Sequence, residues 1–302
     1  MMMNRNRDFL FIFDAVNTNP NGDPDQENKP RMDNETRTLL VSDVRRKRDI
    51  RDFLHNKGKG IFVHTLGDTK VTMEKMFGEI MAKYGLKEKE ATEGEKIAAI
   101  LNNMVDIRMF GSAMAVGGIT KTFTGPIQLT WGYSLHPVDL VKSNSIVTIM
   151  NDDNSTFGKM YKAYYALVAH GGSVNKFNAA KTGLTEEDLD LFRRALVQSM
   201  MNNLTHSKQG QQPLYYLEVI YAPEFDGYLG DLRRFLKVEL KKSNAIRSQE
   251  DLTLDFAQLE EAIGEMKQKG YIDQVLLWKS PLAGDWANLP AGDELDLIAP
   301  IS

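Results

Sequence analysis

Phe9-Leu10-Phe11-Ile12-Phe13, followed by Asp14 and the turn cluster Asn17-Thr18-Asn19-Pro20-Asn21-Gly22-Asp23-Pro24-Asp25, decides how the chain is read. A short run of large apolar residues bounded by turn formers predicts a buried strand. The cluster behind it favours tight turns and opens an irregular segment to about Asn34, long enough to be a functional loop. A helix is predicted from about Thr38 to His55. Two more follow at 71–84 (Met73, Met76, Phe77, Ile80, Tyr84) and 93–105 (Ile97, Ile100, Leu101, Met104), from apolar residues at helical spacing. Gly125 to Trp131 alternates like a strand. Ser145–Met150 and Met160–Tyr165 read as the arms of a projecting hairpin around the polar loop 151–154. Thr185-Glu186-Glu187-Asp188 has the form of a capping box that opens a helix to about Asn202. Leu214–Tyr221 predicts a further strand and Leu254–Lys269 a last helix. Helices interspersed with separated strands point to an α+β fold or a split βαβ core.

Composition narrows the class. The chain has 302 residues, 42% hydrophobic and 26% charged, the balance of a globular protein, and neither repeats nor low-complexity tracts are seen. Cysteine is absent, which excludes disulfides, thiol nucleophiles and cysteine-based zinc sites. No apolar run nears the ~20 residues that span a bilayer. Phe9–Phe13 is too short for a signal-peptide core, so a cytoplasmic location and no membrane partner are expected. The formal charge is −4, from 37 basic and 41 acidic residues, but it is unevenly spread. Glu250–Ser302 holds 11 acidic and 3 basic residues, which leaves +4 on residues 1–249. Arg45–Lys59 alone carries seven basic residues against Asp49 and Asp52. Binding to a polyanion follows local charge, so the bulk sum does not exclude nucleic acid.

Familiar catalytic patterns are missing. Asn17, Asn19, Asn21 and Gly22 match part of a calcium loop, but Asn28 stands where a bidentate Glu is needed and Pro20 interrupts it. Gly58 and Gly60 are followed by Val63, so the dinucleotide fingerprint fails, and no Walker lysine motif occurs. The five histidines are scattered. On a helical wheel, Lys47 and Arg51 fall in the same arc as Val44, Ile50 and Leu54, one turn apart, so their heads can converge. Two cations at the edge of a packing face must snorkel or find an anion, and a phosphate backbone would supply one. Arg108-Met109-Phe110-Gly111-Ser112 reads either as a backbone cradle or as a tight turn. The 206–213 segment reads as a donor-rich connecting loop. Asp14, Asp23, Asp25 and Asp33 could gather a catalytic metal, but their spacing alone gives no support for one.

Taken in order, several segments are specific together. They are Phe9–Asp14 with Asn19-Pro20-Asn21-Gly22-Asp23-Pro24; Val41-Ser42-Asp43-Val44 with Lys47-Arg48-Asp49-Ile50-Arg51; Asp106–Gly111 with Gly125–Ser134; Thr156-Phe157-Gly158-Lys159; and Ser207-Lys208. Over roughly residues 8–240 the chain resembles the backbone subunit of type I CRISPR Cascade complexes, in the RAMP superfamily, most like the type I-B branch.

The resemblance implies an α+β, hand-shaped protein. Its ferredoxin-like, RRM-type palm would span 1–60, 106–135 and 160–240. A helical finger would occupy 61–105, a thumb hairpin 136–159, and an acidic extension 241–302 packing on the palm. It implies a non-catalytic subunit, without cofactor or metal, that polymerises along CRISPR RNA and presents it for pairing with target DNA. Implied partners are further copies, the subunit that binds the five-prime handle, the large subunit and the processing endoribonuclease. Implied RNA contacts are Asn21, Ser42, Arg45, Lys47, Arg48, Arg51, Arg108, Phe110, Gly111, Ser112, Ser207, Lys208 and Gln211. Ile149 and Met150 are the implied apolar wedge of the thumb. Such binding uses phosphate contacts and leaves base edges free. The alternative is a metal-dependent ribonuclease of the type III kind, using Asp23, Asp25 or Asp33.

Overall fold

The computed structural model describes residues 1–65, 70–88, 90–142, 145–149 and 155–301. Its central sheet is built from β1 (Arg7–Thr18), β2 (Thr38–Val41), β3 (Gly132–Ser134), β4 (Ala163–Val174), β5 (Gln211–Tyr221) and β6 (Ile272–Lys279). Their spatial order is β6-β5-β1-β4-β3-β2, with every neighbouring pair antiparallel. Two-residue strands extend both ends, Asp293–Glu294 beside β6 and Met32–Asp33 beside β2, and Ile127–Leu129 pairs with β4.

The apolar run predicted as a strand forms the middle of β1, hydrogen-bonded on both sides. Alternation along a strand sends Phe9, Phe11 and Phe13 to one face, Leu10 and Ile12 to the other. The phenylalanines pack under α1 (Asp43–Asn56) through Ile50, Phe53 and Leu54, and under the long helix Glu186–Asn202 through Leu189, Phe192 and Leu196. Leu10 and Ile12 meet Leu259 and Ile263 of the last helix, Ala257–Gln268, and Leu252 and Leu254 of the Lys237–Leu240/Leu252–Asp255 hairpin. The result is a sheet covered on both faces. Each fully buried large side chain contributes roughly 1.5–3 kcal/mol, so this one run supports both layers.

Between α1 and β3 lies an insertion with its own core. Helices α2 (Met73–Lys83), α3 (Glu93–Asn103) and α4 (Val105–Phe110) precede a Gly111–Val116/Ile119–Thr124 hairpin. Met76, Phe77, Ile80, Ile100 and Ile107 pack with Met114, Val116, Ile119 and Phe123. The remaining helices are α5 (Lys176–Thr182), α6 (Glu186–Asn202) and α7 (Ala257–Gln268). Thr185 and Asp188 form the capping box that the sequence predicts for α6. Among the described residues, no helix is long and apolar enough to cross a membrane.

Several boundaries differ from expectation. α1 starts at Asp43, because Thr38–Val41 is drawn into the sheet as β2 and Ser42 caps the helix. The projecting hairpin pairs Ser145–Ile149 with Ser155–Lys159, while Ala163–Tyr165 belongs to β4. The last helix begins three residues late, since Leu252–Asp255 is a strand. Val44, placed on the packing arc of α1, is 67% exposed, and the charged residues buried on this helix are Arg46 and Asp49.

Candidate nucleic-acid interface

The turn cluster after β1 is stitched to the loop before β5. Asn17 takes a left-handed conformation, φ 49°, that turns the chain. Thr18 Oγ1 and Asn19 N then donate to Ser207 O at 2.5 and 3.0 Å. The same loop folds towards α1, where Asn21 Oδ1 accepts from Ser42 N at 2.7 Å and Ser42 Oγ accepts from Arg45 N at 3.3 Å. The walls of a cleft of about 390 Å³ come from these segments together with the foot of the projecting hairpin. It is lined by Asn19, Asn21, Gly22, Glu27, Asn28, Arg45, Lys159, Met160, Tyr161, Ser207 and Lys208. Four of the implied RNA contacts, Asn21, Arg45, Ser207 and Lys208, therefore share one cleft. Ser42 and Gln211 support it from behind. Gln211 donates to Lys208 O at 3.2 Å, and its own buried Oε1 has no hydrogen-bond partner among the described residues.

The cleft is cationic at its base. Lys208 Nζ donates to the carbonyl oxygens of Asn19 and Pro20. Burial, with Arg45 and Arg46 nearby, pushes its pKa down to about 7. Arg46 lies beneath, paired with Asp49 at 2.5 Å and 5.3 Å from the centre of the Phe13 ring. Burial, then Arg45, lowers it to about 9. A buried cation is expensive, and here one carboxylate and a ring face offset the cost. Arg45 also pairs with Asp49.

Lys47 and Arg51 do converge, but on a ring rather than on open solvent. Lys47 Nζ lies 5.8 Å and Arg51 Cζ 5.1 Å from the centre of Phe110. Each finds its anion inside the chain, Lys47 on Asp43 at 2.9 Å and Arg51 on Asp106 at 3.0 Å. The anion that the sequence reading left open is thus a carboxylate within the chain, and a phosphate reaching these cations has to share or displace it. Arg48 pairs with Asp52 at 2.7 Å. Arg108 is tied to Asp188 at 2.7 Å and to Leu101 O at 2.8 Å, fixing α4 to α6. Gly111 has φ 70°, and a Cβ there would stand 2.0 Å from Phe123 O, so this glycine serves the 111–124 hairpin. Ser112 follows it half-exposed. Ile149 ends the first arm of the projecting hairpin, and Met150 lies outside the described residues.

The acidic residues do not assemble. Asp23 pairs with Arg31 at 3.4 Å, and Asp33 accepts from Glu35 N at 3.0 Å and Thr36 Oγ1 at 2.7 Å. Among the described residues, no three His, Asp or Glu side chains are placed to hold a metal ion. His136 and His170 are core residues, with His170 held down to about 3 by burial. Glu27 and Tyr161 are cleft residues that the sequence does not reveal, because a tertiary contact unites them, and Lys159 stands in the sequence only as the end of the 156–159 segment. Asn19 sat in plain view within the turn cluster.

A doubly covered α+β sheet with a cationic cleft at the loop end of its first strand defines the class of protein. The chain belongs to the Cas7 family, whose model, CRISPR-associated protein Cas7, matches residues 5–257. It is 27% identical over 281 residues to a CRISPR-associated protein Cas7 of Haloferax volcanii, covering 85% of this chain and 82% of that one. Its fold resembles a chain of a CRISPR RNA-guided surveillance complex in a pre-nicking state, with TM-score 0.55, 12% identity and 96% of both chains covered. A chain of another CRISPR RNA-guided surveillance complex gives TM-score 0.53 at 15% identity, with 96% and 94% covered.

Proposed function

We propose that this protein is a non-catalytic backbone subunit of a type I, I-B-like, CRISPR RNA-guided surveillance complex. It binds the guide through its phosphates, repeats along it copy by copy, and leaves the bases free to pair with target DNA. The observation that carries the reading is the cleft, in which Arg45, Lys159 and Lys208 from three separate segments surround polar side chains and backbone groups. Donors of this kind hold a sugar–phosphate chain without reading sequence. Among the described residues that line it, Tyr161 alone is aromatic and Lys29 stands over its ring, so phosphate contact rather than base stacking is the expected mode.

The order β5-β1-β4-β3, with α1 after β1 and α6 before β5, supports a ferredoxin-like palm. The insertion is then the finger, drawn as 61–124 rather than 61–105 because the 111–124 hairpin packs with α2 and α3. The 145–159 hairpin is the thumb, and Ile149 with Met150, next to it in sequence, the wedge. The C-terminal segment joins the palm through β6. Partners are CRISPR RNA, target DNA through the guide, further copies of this chain, the handle-binding and large subunits, and the processing endoribonuclease. The dispersed Asp23 and Asp33 give the ribonuclease alternative no support.

Co-expression with a CRISPR array and sister subunits tests the reading. Guide-length RNA should be extracted from a complex holding several copies of this chain. A protein that stays RNA-free and monomeric under those conditions refutes it.

A further inference from the structure

The foot of the projecting hairpin and the loop after β1 meet at one carboxylate. Glu27 Oε2 accepts from Tyr161 Oη at 2.7 Å and lies 3.4 Å from Lys159 Nζ. Lys29 Nζ sits 5.1 Å from the centre of the Tyr161 ring. Glu27 and Asn28 both have positive φ, 53° and 57°, a conformation that costs a non-glycine residue energy. The loop tip is therefore held against its backbone preference while Glu27 rests on these donors. The contact is open to water, with side-chain exposures of 59% for Lys159 and 61% for Glu27. Exposed ion pairs are weak and exchange readily. Two ammonium groups and a phenol hydroxyl are also a donor set that suits a phosphate oxygen.

We propose that Lys29, Lys159 and Tyr161 form an anion subsite at the mouth of the cleft, filled by Glu27 in the RNA-free chain and taken over by a phosphodiester of bound RNA. The proposal deepens the RNA-binding reading and rests on it. The exchange makes and breaks no covalent bond: a carboxylate leaves and a phosphate of the same charge arrives. Release of Glu27 frees the 22–30 loop from the hairpin foot, so RNA entry and thumb position are coupled. Loosely held RNA must compete with an anion already in place, which favours ligands that fill the whole cleft.

Fluorescence anisotropy with a labelled oligouridylate, read across a potassium chloride series on the full chain, tests this with Glu27→Gln, Lys159→Ala and Tyr161→Phe. Glu27→Gln removes the competitor and should tighten binding about two- to fivefold, the range expected for one exposed ion pair. Its salt dependence should steepen. Lys159→Ala should weaken binding and lower the logarithmic salt slope by about one, as for a lost phosphate contact. Tyr161→Phe should weaken binding with the slope kept. If the wild type binds and Glu27→Gln binds no tighter, the gate is wrong while the RNA-binding reading stands. If neither the wild type nor any variant binds, both fall.

Discussion

Lys208 Nζ donates to the carbonyl oxygen of Pro20 at 3.0 Å, and among the described residues no carboxylate pairs with it. A lysine held by carbonyl groups alone, beside two arginines, is a cation that its own fold does not neutralise. An incoming anion at this place in the cleft relieves an existing cost.

The first prediction concerns pH. The Lys208 ammonium titrates near 7 rather than at the ordinary 10.5, because burial and then Arg45 and Arg46 disfavour its charge. Between those values the unfolded chain holds the extra proton, so this group's contribution to stability rises with pH across that window and is smallest below it. A phosphate favours the charged form, so RNA affinity should fall as pH rises through 7, by up to about tenfold per unit. Lys208→Met should abolish that dependence, and Lys208→Arg should retain tight binding at alkaline pH. A wild-type affinity flat with pH in anisotropy titrations refutes the assignment.

The paired cations on α1 have separable roles. Lys47→Ala should lower the logarithmic salt slope of RNA binding by about one for every RNA sequence. Arg51→Ala should do the same and also destabilise the chain. It strips a partner from the buried Asp106, which otherwise accepts from Phe62 N at 2.8 Å and Val63 N at 3.1 Å. The expected cost is about 1–3 kcal/mol in denaturant unfolding. Unchanged salt slopes in both variants remove these residues from the interface.

Asp14 is buried in β1 with one long contact, 3.5 Å, from Gln249 Nε2, and burial raises its pKa to about 6. Its folded pKa lies above its unfolded value, so stability from this group is full at acid pH and is lost as pH rises through about 6. Asp14→Asn should stabilise the protein at neutral pH by about 1–3 kcal/mol, with little effect at acid pH. Thermal melts at the two pH values compare them. A variant less stable than wild type at neutral pH contradicts the argument.

The projecting hairpin leaves the sheet through closely spaced feet. Val141 N donates to Lys162 O at 2.8 Å and Tyr164 N to Asp139 O at 3.0 Å. Replacing 142–161 with a short glycine turn should leave the central sheet folded, with a melting temperature within a few degrees of wild type, since the pairing it removes is the hairpin's own. The variant should lose regular spacing on RNA in nuclease-protection patterns. Protection identical to wild type argues against a thumb.

Much of the fold was legible where the signal is local. Phe9–Phe13 announces β1, and Thr185 with Asp188 announces α6, because apolar runs and capping boxes act over a few residues. Thr38–Val41 looked helical because its strand character comes from pairing with Gly132 and Tyr133, far away in sequence. Ile272–Lys279 was hidden inside an acidic stretch for the same reason, its burial being supplied by β5. The cleft was half legible. Asn21, Arg45, Ser207 and Lys208 stand in or next to segments whose composition marks them. Arg46 could not be told from its neighbours, since Asp49 and the Phe13 ring that house it are visible only once the helix is docked. Glu27 and Tyr161 meet across 134 residues.

Both rims of the sheet close on two-residue strands, one ending in Asp33 and the other formed by Asp293 and Glu294. Short, acidic margins give a foreign strand little to zip onto. A subunit that lies beside further copies of itself, as the proposed function requires, must keep them from fusing backbone to backbone. Here the flanks of the sheet are blunted, so on that reading the order of copies falls to side chains and to the RNA they bind.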